Sequence, residues 1–457
     1  MERIYSGTNY QNDALVLGFS DLNKLQRERP LVFSKGSGVF IYDEAGKDYI
    51  ESVSSFYCAA LGFSDEELIE AATRQLRALP IYPSAMHRTV PVVLELAERL
   101  SALAPIPKAR VTFSTTGTEA NDHLIKFMWY GNGFAGVPQR RKIISRKGSY
   151  HGGSVATSAL GGSSDLHNSF AVPTGEYIYV GQPNWPGGAE PGQPVASYVD
   201  QLAAELRCAI EAANPETIGA MIAEPMSVSA GMMPPPPGYF PRIKSVLDDY
   251  GIQLFVDEVV TGFGRTGSMW GSETVDAEPD CITCSKAMSG AYQPIAATIM
   301  SEAFYDRLLK GSDEKGWFAH GGTYHAHPVA AAVALKVLDI FEQRDILGHV
   351  RRIMPTWVRS LNELQDHPLV ATTRQFGLSG AVELIGSGAS AVQGSLKVGG
   401  LAKQVYDAGL EHGVIVRPLA TCIVMAPPLI ITEAELGELF LRLRQAFDSV
   451  LRDSRPL

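Results

Sequence analysis

Three short stretches carry residue types that could do chemistry together. CSKAMSG (284–290) holds a lysine, Lys286, directly after the apolar run CITC. An ammonium left unpaired in apolar surroundings is costly. Either it snorkels back to water, or the fold wants an amine in a dry place. FVDEVVTGFGRTG (255–267) puts Asp257 at the end of a very apolar run. Ligands of open α/β sheets bind outside the carboxyl ends of the strands, so a carboxylate there is poised for a cationic partner. A solvated strand-end acid or a helix cap would look the same. Its neighbour Glu258 points the other way if the strand persists. TTGTEAND (115–122) sets Gly117 and small residues at the entrance of a helix, where backbone N–H groups and the dipole favour a phosphate. Alone this is weak, because many helices begin so. Together, an amine, a carboxylate and an anion cradle fit one cofactor, pyridoxal phosphate. It needs a Schiff-base lysine, a partner for its ring nitrogen and a phosphate site. Lys286, bound covalently to it, would no longer be an unpaired ammonium.

The elements that must position these residues are short apolar runs alternating with helical patterns. RKIIS, IGAMIAEP, IQLFVDEV, CITCSK and IAATIMSE read as buried strands of a mostly parallel sheet covered on both faces, an α/β fold. Apolar spacing predicts a helix over 91–104, and another begins at Gly117. QPNWPGGAEPGQP (182–194) and MMPPPPG (232–238) are expected to be surface loops, and GSGASAVQGSLKVGG (386–400) an exposed loop. After about residue 330 the strands are expected to thin out and the helices to lengthen, as in a second, smaller domain.

The chain has 457 residues, of which 45% are hydrophobic and 19% charged, enough to build a large core. The net charge is −10, with no basic block, which argues against nucleic acid or an anionic membrane as a partner. Five cysteines are an odd number and make no disulfide framework. Cys281 and Cys284 form a C-x-x-C without a second pair at zinc spacing, so they read as core sulfur and no metal site is assigned. The opening MERIYSGTNYQNDALVL lacks the apolar core of a signal peptide, and no apolar run approaches a membrane span. A cytoplasmic location is expected.

The motifs taken together resemble the class III aminotransferases of fold-type I, the group of ornithine, 4-aminobutyrate and amine–pyruvate (omega) transaminases. The resemblance runs through TTGTEAND, SYHG (149–152), AEP (223–225), VDEVVTGFGRTG (256–267), CSKAMSG, HGGTYHAHPVAAA (320–332) and VRPLATCIVMAPPLIIT (416–432). It implies a large domain over 66–330, with a mostly parallel sheet between helices, and a small α+β domain built from 1–65 and 331–457. It implies that Lys286 carries the cofactor and moves the proton, while Asp257 keeps the ring nitrogen protonated. Gly117 and Thr118 would bind the phosphate. Tyr150 would lie against the ring with His151 beside it, Val259 would pack on the other face, and Glu224 would stand nearby as a supporting carboxylate. Thr323 would reach the phosphate of a neighbouring subunit, so a homodimer shares its sites, and a tetramer of such dimers stays open. His151, His320, His325 and His327 are then loop residues at the site edge rather than a metal cluster.

The same resemblance bears on substrate. Tyr57 would wall the pocket where amine–pyruvate members often carry tryptophan. Arg417 matches the arginine that grips a substrate carboxylate and swings away for an apolar group. Ala85 and Ser229 align with pocket-lining positions, and the small Ala85 would leave room for a bulky group. No glutamate-binding pattern stands out. The implied reaction is ping-pong transfer from a primary amine or omega-amino acid to a keto acid, with pyruvate preferred over 2-oxoglutarate. An aminomutase or other isomerase on the same scaffold is the alternative, and net amino transfer to pyruvate separates the two. A binding protein that merely kept the fold is disfavoured by the intact Lys286 and Asp257.

Overall fold

A computed structural model describes residues 14–385 and 400–453. Apart from Gly400, which opens helix Gly400–Glu411, the expected loop 386–400 lies outside the described residues, as do residues 1–13. Near the N-terminus β1 (Phe33–Ser37), β2 (Phe40–Asp43) and β3 (Asp48–Glu51) form an antiparallel meander.

The central sheet contains β4 (Arg110–Ser114), β5 (Lys142–Arg146), β6 (Tyr177–Val180), β7 (Ile218–Ala223), β8 (Gln253–Asp257), β9 (Cys281–Cys284) and β10 (Ala296–Met300), in the order β4-β10-β9-β8-β7-β5-β6. Its neighbours pair in parallel from β9 through β6, and β10 runs antiparallel to both β9 and β4. Every residue of β7, β8, β9 and β10 is buried. Strands covered on both faces show continuous apolar runs, which is why these were visible in the sequence. Cys281 and Cys284 are fully buried free thiols of this core.

Helix Pro328–Gln343 is apolar almost all round and buries Val329, Ala331, Val333, Leu338 and Ile340 among others. Such a helix belongs inside a large protein. It packs against helices Glu66–Ala78 and Pro91–Leu103 and against the short turn Lys286–Ser289, and so backs the lysine.

Two expectations are corrected. Strands do not thin out after residue 330. β11 (Val370–Gln375), β12 (Gly380–Leu384), β14 (Arg417–Pro418) and β15 (Cys422–Met425) form an antiparallel sheet in the order β11-β12-β15-β14. β13 (Val414–Ile415) pairs in parallel with β3, with Val414 opposite Ile50. β11, VATTRQ, is half-exposed, and β13 and β14 are two residues long, so these lack the unbroken apolar signature, whereas β15, CIVM, is buried and apolar throughout. The segment MMPPPPG is not a surface loop along its whole length. Met232 and Met233 are buried, Ser227 and Met233 exchange backbone hydrogen bonds, and Met232 joins a cluster with Met226, Leu419 and Val424 under the C-terminal sheet. Among the described residues no helix is long and apolar enough to cross a membrane.

Candidate active site

The register of the central sheet collects the predicted residues at one edge. Ala223 stands opposite Val256, and Asp257 opposite Thr283. Cys284 pairs with Ala297, and Ser114 with Ala296. Thus Glu224, Asp257, Lys286 and the entrance of helix Gly117–Phe134 all follow the carboxyl ends of neighbouring strands, where ligands of such sheets bind.

Lys286 opens a single 3-10 turn that ends at Gly290. Its φ is 48°, a left-handed backbone that non-glycine residues adopt at a cost, often at functional positions. Among the described residues its amine has no hydrogen-bond or ion-pair partner. Burial pulls its pKa below the ordinary lysine range. The charge of Asp257 opposes that without cancelling it, and Arg417 adds to the lowering.

Asp257 is buried. One carboxylate oxygen accepts from His151 Nδ1 at 2.8 Å and Asn121 Nδ2 at 2.9 Å, and the other from the Val259 N–H at 3.0 Å. Burial alone would raise its pKa. The hydrogen bonds and the His151 ring outweigh burial and hold the pKa below the usual value, so the carboxylate is ionised at neutral pH. Asn121 also donates to the His151 carbonyl and accepts from the Thr283 hydroxyl. Glu258 points elsewhere, as expected. It is buried and accepts from Thr261 and from the N–H groups of Gly271 and Ser272.

The helix entrance is built for a close approach. A Cβ on Gly117 would lie 2.8 Å from a Val259 methyl, so only glycine fits against that side chain. Thr116 caps the helix by accepting from the Glu119 N–H. Thr118 Oγ1 accepts from Gly153 N–H at 3.3 Å, which ties the helix to the segment bearing Tyr150 and His151.

Glu224 is engaged with protein groups. It takes a buried ion pair from Arg146 at 2.9 Å, the Ser227 hydroxyl at 3.2 Å and the Tyr150 N–H at 3.5 Å. Ser229 donates to the Gly148 carbonyl at 2.7 Å. Both fasten the loop that carries Tyr150.

Tyr57 and Arg417 meet, although 360 residues separate them. Arg417 Nη1 donates to the Tyr57 hydroxyl at 3.2 Å, and the guanidinium sits 5.2 Å from the Phe56 ring centroid and 5.6 Å from that of Tyr57. Arg417 also makes it easier for Tyr150 to ionise, against a larger effect of burial. Tyr57 reaches it through an unusual turn, in which Ser54, Ser55, Phe56 and Tyr57 all have φ between 48° and 69°. Glu51 accepts from the N–H groups of Val53 and Ser55, and Ser54 donates to the Ala426 carbonyl. Ala85 and Thr323 both lie on exposed segments.

Sequence reasoning assigned no role to Asn121, Arg146 or Glu51. Asn121 and Arg146 left a signal: an amide among apolar helix positions, and an arginine ending the apolar run KIISR. A buried polar group of that kind needs a partner. Glu51 left none.

Residues 23–447 match the family model described as Aminotransferase class-III. This chain belongs to the class-III aminotransferases. It is 37% identical over 412 residues to gamma-aminobutyrate transaminase 1, mitochondrial, of Oryza sativa subsp. japonica, covering 90% of this chain and 80% of the relative. Among solved structures it superimposes with a TM-score of 0.92 on the omega transaminase from Pseudomonas jessenii in complex with PMP, at 37% identity over 96% of each chain. A structure described as a transaminase with L-ala gives a TM-score of 0.88 at 37% identity, covering 93% of this chain and all of that one. Class-III aminotransferases depend on pyridoxal phosphate, and the site of this member fits that group. An ionised buried carboxylate, an amine of lowered pKa and a glycine-lined helix entrance stand at one sheet edge.

Proposed function

We propose that this aminotransferase moves an amino group from a primary amine or an omega-amino acid to pyruvate in a ping-pong cycle. The observation that carries the reading is Arg417. It is a cation held by the Tyr57 hydroxyl and two aromatic rings, and close enough to Lys286 to lower its pKa. A guanidinium so placed can pair with one carboxylate, as pyruvate requires. The L-ala in the similar solved transaminase supports alanine as the product. The gamma-aminobutyrate transaminase relative supports an omega-amino acid among the donors.

Bound pyridoxal phosphate supplies an aldehyde that takes up the amino group and a ring that draws electrons from the substrate carbon. Lys286 would be the residue that holds the group covalently. Its Nζ would move the proton from the donor's amine-bearing carbon to the cofactor's former aldehyde carbon in the first half of the cycle, and from that carbon to the keto acid's carbon in the second. Asp257 holds the proton on the ring nitrogen, for which an ionised carboxylate is required. Gly117 and Thr118 bind the phosphate, Tyr150 and Val259 confine the ring, and Arg417 orients the keto acid. On the family resemblance, Thr323 would come from a second copy of the chain.

Initial rates with primary amines and 4-aminobutyrate, each paired with pyruvate or 2-oxoglutarate, test this. Alanine formation in excess of glutamate formation is expected. Glutamate as the main product, or no net transfer to either acceptor, would overturn the choice of acceptor or of reaction.

A further inference from the structure

Helix Gly117–Phe134 places Glu119 and His123 one turn apart on one face, since residues four apart are neighbours on a helix. The connection between helices Glu302–Lys315 and Pro328–Gln343 lays His320 and His325 over that face. The His123 ring meets His320 edge-on at 4.2 Å between centroids and His325 at 5.0 Å. One ring nitrogen from each of the three lies within 4.8 Å of the others.

These imidazoles are poorly served by the protein. His123 is 6% exposed, and among the described residues neither its Nδ1 nor the buried Nε2 of His320 has a hydrogen-bond partner. A buried polar atom without a partner needs an explanation such as an ion. Burial lowers the pKa of His123 to about 3 and that of His320 to about 4, and lowers that of His325 as well. Burial thus disfavours the charged form of all three rings, and the neutral imidazole is the form that ligates metals. The Glu119 carboxylate lies 3.9 Å from His325 Nε2.

We propose that His123, His320 and His325 bind a divalent cation of the zinc class, with the Glu119 carboxylate within reach as a fourth ligand. Zinc–imidazole bonds of about 2.0–2.1 Å put tetrahedral ligand nitrogens about 3.4 Å apart, so the rings must close by a modest side-chain rotation. One group contests the site. The Lys126 ammonium lies 3.3 Å from His320 Nδ1. A lysine donating there leaves the proton on Nε2, the wrong tautomer for ligation through that atom. Lys126 is exposed and can swing out, at a cost in affinity. The bound ion would fasten the segment that carries Thr323 onto helix Gly117–Phe134. This proposal does not depend on the choice of amino acceptor.

The test is calorimetric titration of zinc chloride into chelator-treated holoenzyme. The wild type should show a saturable site of single stoichiometry. H320A, on the surface connection, and H123A should lose it, while K126Q should bind more tightly. Circular dichroism confirms that the variants are folded. Zinc binding that survives in H320A, or its absence from the wild type, would overturn the proposal.

Discussion

At the scale of single residues, the site rests on an amine and a carboxylate driven in useful directions by different causes. Burial disfavours the charged form of Lys286, while directed hydrogen bonds keep Asp257 ionised despite its burial. Lys286→Ala should lower the amino-transfer rate by about a thousandfold or more, because both the covalent anchor and the proton carrier are lost. The check is single-turnover kinetics with reconstituted variant, and a rate near the wild type would remove Lys286 from the mechanism. Tyr57→Phe deletes only the hydroxyl that accepts from Arg417. A hydrogen bond to a charged group is worth roughly 1.5–3 kcal/mol, so KM for pyruvate should rise by about ten- to a hundredfold with kcat little changed. Equal KM values would show that the hydroxyl does not position the guanidinium.

At the scale of elements, the left-handed turn at Ser54–Tyr57 is the part the sequence hid. SSFY contains no glycine and no turn signal. The turn exists because Glu51 accepts from its N–H groups and Ser54 reaches the distant Ala426 carbonyl. Burial pushes Glu51 up to about 7 from 4.5. The folded chain therefore binds a proton that the unfolded chain releases. Stability from this group falls as pH rises from about 4.5 to about 7, by an amount on the order of 3 kcal/mol, and the loss is complete above that. Glu51→Gln should remove the slope. The thermal midpoint of the variant should gain on that of the parent between about pH 5 and pH 8, and a constant difference would contradict the assignment. The buried central strands were legible for the opposite reason: their neighbours cover both faces, so burial is written as unbroken apolar runs. Among the C-terminal strands, half-exposed β11 and the two-residue β13 and β14 leave no such run, whereas β15, CIVM, carries one and was legible as a strand.

At the scale of the whole molecule, two predicted site residues are solvent-exposed in the single chain. Ala85 and Thr323 lie on exposed segments, beside Met86, which is 82% exposed, and Tyr324, which is 60% exposed. The family resemblance placed Thr323 at a neighbour's phosphate, something no single chain can display. Light scattering of the holoenzyme should give the mass of a homodimer, whereas an active monomer would refute the shared site. In a dimer, Ala85→Phe should reduce the turnover of bulky amines relative to small ones, and an unchanged preference would place Ala85 outside the pocket.

The central claim is that Lys286 and its neighbours run both halves of an amine–pyruvate exchange. The most direct measurement is the visible absorption of the purified holoenzyme, recorded after adding a primary amine and again after adding pyruvate. The Schiff-base band should disappear with the amine and return with pyruvate. A band that ignores the amine, or that 2-oxoglutarate restores and pyruvate does not, would contradict it.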